Sequence, residues 1–230
     1  MNRWLVVLSA LMVACGSAQI ASASVQDIPI TGATASFNQS NFGIGYAWDG
    51  ILNGANGWAV NPNETSNQWA TFSTDLATFG AGSKLTFTLS QLFNDANNPY
   101  HLLREFTLSY VDQADSVHVI DSAFGLARVS STSSLTISSM GVVVNADYPS
   151  VVPETDTYIL SATLPSTVQI KGFRLDLIAP VGTQPTNNNF VLTEFAVGAD
   201  AVPEPTTLAI WSLFGGLGLI AARRKRKRLA

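Results

Sequence analysis

Residues 84–92 read Lys-Leu-Thr-Phe-Thr-Leu-Ser-Gln-Leu, so that Leu85, Phe87 and Leu89 alternate with Thr86, Thr88 and Ser90. A period of two places the apolar set on one face of an extended strand and the polar set on the other. The same alternation recurs at 105–111, where Phe106, Leu108 and Tyr110 share a face, and strand signals continue at 117–123, 134–140, 141–146, 157–163, 168–178 and 190–197. Between residues 24 and 202 no stretch sustains the 3.6-residue period of an amphipathic helix. The connections at 93–100, 148–156 and 179–189 are rich in Asn, Pro, Gly and Asp, which turn or interrupt the chain. Many short strands joined by polar turns predict an all-β body, an antiparallel β-sandwich in which each sheet buries one face.

The two ends of the 230-residue chain follow a different pattern. At the start, Arg3 precedes an apolar run from Trp4 to Cys15, and Ala21-Ser22-Ala23 offers a small-residue cleavage site before Ser24. This is the pattern of a removable secretory signal, so residues 1–23 are expected to form a signal helix that is cut between Ala23 and Ser24. A second reading keeps Cys15: Met12-Val13-Ala14-Cys15-Gly16 resembles a lipobox, in which a lipidated Cys15 would become the new N-terminus. At the far end, Thr206 to Ala222 is a stretch of seventeen residues without charge. As a helix it is about 25 Å long at ~1.5 Å per residue, close to the thickness of a bilayer's hydrocarbon core. The run Arg223, Arg224, Lys225, Arg226, Lys227 and Arg228 follows at once and reads as a stop-transfer signal that stays cytoplasmic. Basic clusters also serve as nuclear or nucleic-acid patches, but one abutting an apolar span is explained by topology. The domain plan is therefore a signal peptide at 1–23, a β-sandwich at 24–200 and a membrane-directed segment at 201–230.

Immediately before the apolar span stand Pro203, Glu204 and Pro205. Two prolines forbid helix continuation and hold the chain extended. Pro-Glu-Pro, a short apolar span and a terminal basic cluster, in that order over residues 202–228, resemble the PEP-CTERM sorting signal. That resemblance implies a membrane-embedded exosortase as processing partner. It also implies an exported precursor tethered to the inner membrane and then delivered to the cell surface or extracellular matrix. An ordinary single-pass tail anchor is the alternative.

Charge and cysteine content narrow the chemistry of the body. Residues 24–202 hold fifteen acidic and five basic residues, a net charge of −10. An acidic body lacks the basic face that phosphate binding demands, so no nucleic-acid partner is expected. The single cysteine lies in the N-terminal apolar run, which leaves the body without disulfide or thiol chemistry. There is no G-x-S-x-G elbow, no H-E-x-x-H and no P-loop, and the expectation is a protein that is not an enzyme. Two acidic pairs, Asp112 with Asp115 and Glu154 with Asp156, keep open the alternative of a carbohydrate-active enzyme. A purely structural protein without a small ligand is a third reading.

Three patches of the body, at 46–60, 84–110 and 172–197, resemble in their order the galactose-binding-like (discoidin-type) jelly-roll superfamily, with coverage of about residues 28 to 198. The nearest likeness is to modules with a His-Leu-Gly-Arg-Phe-Arg-Leu-Ser pattern and a closing Asn-Phe-Val-Leu-Thr-Glu strand. Here Arg104, Glu105 and Thr107 replace Gly, Arg and Arg of that pattern. The resemblance implies a structural calcium ion (Ca2+) where an early Asp-Gly loop meets the last strand, with Asp49 and Glu194 as its carboxylates and carbonyls of 46–51 and near Thr193 completing the shell. It also implies a carbohydrate partner such as extracellular polysaccharide. Sugar recognition uses an aromatic platform, and the aromatic candidates are Trp48, Trp58, Trp69 and Tyr100, with His101 beside them. Trp48 and Trp58 serve equally as core plugs of a sandwich, and His118 reads as a solvated strand position.

Overall fold

A computed structural model describes residues 25–52, 54–93, 101–120, 125–129, 135–138, 144–146, 155–179 and 190–200. These residues form twelve strands, every pairing of which is antiparallel. The expectation of an all-β body in two antiparallel sheets is met. The signal helix, the C-terminal membrane helix, the Pro203-Glu204-Pro205 motif and the cluster 223–228 all lie outside the described residues. Among the described residues no helix is long and apolar enough to cross a membrane.

The first four strands are β1 (Gln26–Asp27), β2 (Ile30–Ala35), β3 (Gln68–Phe79) and β4 (Lys84–Gln91). The next four are β5 (Glu105–Asp112), β6 (Val117–Val119), β7 (Gly125–Arg128) and β8 (Leu135–Ile137). The last are β9 (Val144–Ala146), β10 (Asp156–Thr163), β11 (Val168–Leu177) and β12 (Glu194–Asp200). One sheet runs β1-β12-β4-β10-β7; the other runs β2-β3-β11-β5-β9-β8, with β6 also paired to β5. Seven of the eight strand signals read from alternation fall on β4, β5, β6, β8, β9, β10 and β11. The eighth, 190–197, starts early, because Phe190–Thr193 precedes β12 and joins the sandwich through an isolated bridge of Leu192 to Trp58 and single amide bonds to His101 and Ser90.

The two inner faces meet through aromatic rings. Phe72 of β3 stacks on Phe195 of β12 with centroids 4.0 Å apart. Phe87 of β4 meets Phe173 of β11 edge-on at 5.5 Å, and Tyr158 of β10 lies parallel to Phe106 of β5 at 6.3 Å. All six side chains are fully buried. Such pairs contribute ~0.5–1.5 kcal/mol each beyond the area they remove from water.

The topology gives the sandwich two unlike ends. At one, β3 turns into β4 through residues 80–83, β5 into β6 through 113–116, and β10 into β11 through 164–167. At this turn end β1 begins and β12 finishes, with Gln26 opposite Ala199 and Asp200 opposite Lys84. The other, the loop end, gathers the long connections 36–67, 92–104 and 178–193.

β11 carries a bulge between Ile170 and Gly172 against both of its neighbours. The extra residue, Lys171, is thereby aimed at the β5–β6 turn, where its Nζ pairs with Asp115 and reaches the Gln113 carbonyl at 3.4 Å.

Candidate functional site

The loop end is organised by the segment between β2 and β3. Asn38 Oδ1 accepts a hydrogen bond from the Ile44 amide at 2.8 Å, fixing the entry to a single 3-10 turn at Ile44–Ala47. Trp48 follows, then Asp49 and Gly50. Asp49 Oδ1 accepts the Ile51 amide at 2.9 Å, closing an Asx turn, while Gly50 takes φ +76°, the left-handed region where a side chain is strained. Four residues on, the backbone at Gly54 passes so close to Leu92 that an added Cβ would lie 2.2 Å from the Leu92 carbonyl oxygen. The loop is held against the end of β4 by this approach.

The two sequence-predicted carboxylates come together here. Glu194 Oε2 accepts the Gly50 amide at 3.0 Å, joining positions 144 residues apart, and the charge of Asp49 acts on it. Burial pushes the Glu194 carboxyl above its ordinary value and the Asp49 charge adds to this, while the Gly50 hydrogen bond opposes both. Neither carboxylate is in an ion pair with a described cation. Next to Glu194, Thr193 bridges to β4: its Oγ1 donates to the Ser90 carbonyl at 2.9 Å and accepts the Leu92 amide at 3.2 Å.

These donors fit a hard divalent cation in kind. Two carboxylates of like charge, one half-buried and held up in pKa, are a pair that a cation would relieve, and calcium takes oxygen ligands. It needs six to eight of them, and no three described His, Cys, Asp or Glu side chains gather as a metal-binding group. Backbone carbonyls of the 46–51 loop and near Thr193 would therefore supply most of the shell. Asp49 and Glu194 are the residues that would hold the ion, and its role would be to fasten the loop to β12.

The aromatic candidates do not form a platform. Trp58 is 0% exposed. Its indole N–H donates to the Phe37 carbonyl at 2.8 Å, its ring meets Phe190 edge-on at 5.1 Å, and its backbone exchanges two hydrogen bonds with Leu192. The expectation that Trp58 contacts a ligand is corrected: it is a core plug, because every surface a sugar would use is already packed. His101 is likewise corrected. It is buried, with its ring against Phe93 at 5.1 Å and its carbonyl accepting the Val191 amide.

Trp69 lies away from the other two, on the outer face of the larger sheet. The Arg174 guanidinium sits 4.6 Å above its ring, and Asp176 holds that guanidinium through both carboxylate oxygens at 2.7–3.0 Å. Trp48 is half-buried against the core, and Tyr100 lies outside the described residues. Of the candidates, Trp48 in the 36–67 connection and Trp69 just after it, beneath Arg174, are half-buried; Tyr46, Ile51 and Leu52 beside Trp48 are exposed.

Of the acidic pairs weighed for glycosidase chemistry, Asp112 and Asp115 are committed to their turn. Asp112 accepts the Ala114 and Ser116 amides and bonds His118, and Asp115 pairs with Lys171. Asp156 is fully buried and Glu154 lies outside the described residues.

No family model matches the sequence, and no curated protein is similar to it. Among solved structures, the family 32 carbohydrate-binding module of Clostridium perfringens NanJ, in complex with galactose, superposes with a TM-score of 0.46 at 11% identity, over 76% of this chain and 99% of that one. CpGH89CBM32-5 from C. perfringens, in complex with GalNAc-β-1,3-galactose, gives 0.44 at 11% identity over 75% and 99%. The family 32 carbohydrate-binding module from Streptococcus pneumoniae EndoD gives 0.45 at 11% identity over 75% and 98%.

Proposed function

We propose that this chain is an exported surface or matrix protein whose body is a non-catalytic, galactose-binding-like jelly-roll module that binds carbohydrate. The observation that carries the reading of the body is the contact between Glu194 and the Asp49–Gly50 turn. The resemblance of the sequence to that superfamily implies that an early Asp-Gly loop and a late glutamate meet. Glu194 Oε2 and the Gly50 amide do so at 3.0 Å. A calcium ion between Asp49 and Glu194 would be structural, and sugar would be taken at the loop end beside Trp48.

Delivery rests on the sequence of the ends. Residues 1–23 direct export and are then removed, and Pro203-Glu204-Pro205 with the span 206–222 and the cluster 223–228 directs the chain to an exosortase-type enzyme at the membrane. Replacing Pro203, Glu204 and Pro205 together by Ala should leave the precursor uncut, as read from the mass of the protein recovered from cells. Unchanged processing would refute the sorting reading.

The carbohydrate reading is tested with full-length protein on a glycan array, run beside an assay for released sugar. Retention of a glycan without new reducing ends is the expected result. Reducing ends that accumulate with time would replace the module by an enzyme, and a flat array would leave a structural protein.

A further inference from the structure

The turn end carries an arrangement that the sequence does not single out. Asp112 closes β5 and braces the turn to β6: its Oδ1 accepts the Ala114 amide at 2.8 Å and the Ser116 amide at 2.9 Å, and Asp115 takes φ +66°. The tight reversal sets His118 directly opposite Tyr110 in the β5–β6 register. Their rings stack with centroids 4.9 Å apart and planes 18° from parallel. Asp112 Oδ2 bonds His118 Nε2 at 2.8 Å, which fixes the imidazole from its far edge. The His118 hydrogen bond, chief among the causes, holds the Asp112 carboxyl below its ordinary value, so the carboxylate stays charged and the bond uses a proton on Nε2. In the neutral ring Nδ1 is then an acceptor.

The stacked pair stands between two hollows. One, of about 360 Å³, lies toward Ile120, Thr163, Leu164 and Pro165; the other, of about 400 Å³, lies toward Gln113, Thr167 and Gln169, and both share Tyr110 and His118. Each falls within the ~300–1,000 Å³ typical of small-molecule sites. The His118 side chain is 43% exposed. Stabilising a three-residue edge strand accounts for a cross-strand aromatic pair, but not for a hollow on each of its two sides.

From this geometry we infer that the turn end is a second ligand site, built for a neutral pyranose residue. A pyranose has an apolar C–H face and a rim of hydroxyls. In the larger hollow the rings of Tyr110 and His118 match the first, and the side chains of Gln113, Thr167 and Gln169 match the second. Charge selects against anionic ligands: the lining includes Asp112 and no Lys or Arg, and the nearby Lys171 is tied to Asp115. The site does not depend on what the loop end binds.

The test is chemical-shift mapping on full-length protein with millimolar methyl galactoside, methyl glucoside and N-acetylglucosamine, with glucuronate as the anionic control. Shifts are expected at amides of 109–119 and 163–169 for at least one neutral sugar. His118→Ala should weaken that binding about tenfold, as expected for loss of a ring contact of ~1–1.5 kcal/mol, while Trp48→Ala leaves it unchanged. Because His118→Ala also loosens β6, the double variant Gln113→Ala/Gln169→Ala, both exposed positions, is measured beside it and should weaken binding with the fold intact. Shifts confined to the loop end, no shifts with any neutral sugar, equal response to glucuronate, or binding unaffected in both variants would each overturn the site.

Discussion

The two ends of the sandwich solve the same problem, how to hold a carboxylate, in opposite ways. At the turn end Asp112 is fully provided for: two amides and an imidazole satisfy it, and its pKa falls. At the loop end burial, with a smaller push from the Asp49 charge, raises the Glu194 pKa against the one amide that holds it. The aromatic residues show the reverse distribution. Trp58 and His101, singled out by the sequence, are buried at the loop end, whereas an exposed His118 stacks on the half-buried Tyr110 at the turn end. The contrast teaches that clustering of aromatics in sequence does not report where rings are available. Availability depends on which side of a closed core the backbone leaves them.

The most severe way to break the contrast is at Trp58. If its role is packing, Trp58→Ala should cost about 3–5 kcal/mol by chemical denaturation, as large-to-small changes in aromatic cores do. A variant of near-native stability that has lost only glycan retention would return Trp58 to the surface.

Glu194 comes next. Saturating calcium should raise stability by about 2.7 kcal/mol at a hundredfold excess over its dissociation constant, read as a calcium-dependent shift in melting temperature that chelator reverses. Glu194→Gln keeps an acceptor for the Gly50 amide but removes the charge. It should match or exceed the wild type in chelator and show no calcium response. A calcium shift that survives in Glu194→Gln and in Asp49→Ala would place any ion elsewhere.

The same residue gives a pH dependence. A carboxyl whose pKa is higher in the folded chain than in the unfolded one binds its proton more tightly when folded. Its contribution is therefore present below the ordinary value of 4.5 and lost as pH rises through the raised folded value. In chelator the melting temperature of wild type relative to Glu194→Gln should fall over that window. Calcium should remove the fall.

The smallest effect belongs to the turn end. Asp115 is 82% exposed in its pair with Lys171, so Lys171→Met should change stability by less than about 1 kcal/mol. A larger loss, read by denaturation, would mean that the bulge depends on the pair rather than on the strands beside it.

Much of the fold was legible because alternation is strong where inward residues are large, as in Leu85, Phe87 and Leu89. The longest strand, β3, was not legible. Its buried residues are Gln68, Ala70, Phe72, Thr74 and Phe79, with the two large apolar side chains an odd number of residues apart, so no period-two contrast shows. β2 and β7 are small and glycine-containing for the same effect. At the site, the meeting of Asp49 and Glu194 followed from a likeness spread over the whole body, which spacing alone does not contain. His118 was read correctly as a solvated strand position, but its pairing with Tyr110 and Asp112 depends on a tight turn whose geometry is set by Asp112 itself.

The chain enters the sandwich at Gln26 and leaves it at Asp200, side by side with the turn end, where Asp200 faces Lys84 and Lys84 faces Thr163 across adjacent strands. The chain therefore leaves the sandwich at the same end as the Tyr110–His118 hollows. Anything joined to the chain after Asp200 meets the sandwich at this end, and the Asp49 turn stands at the far one.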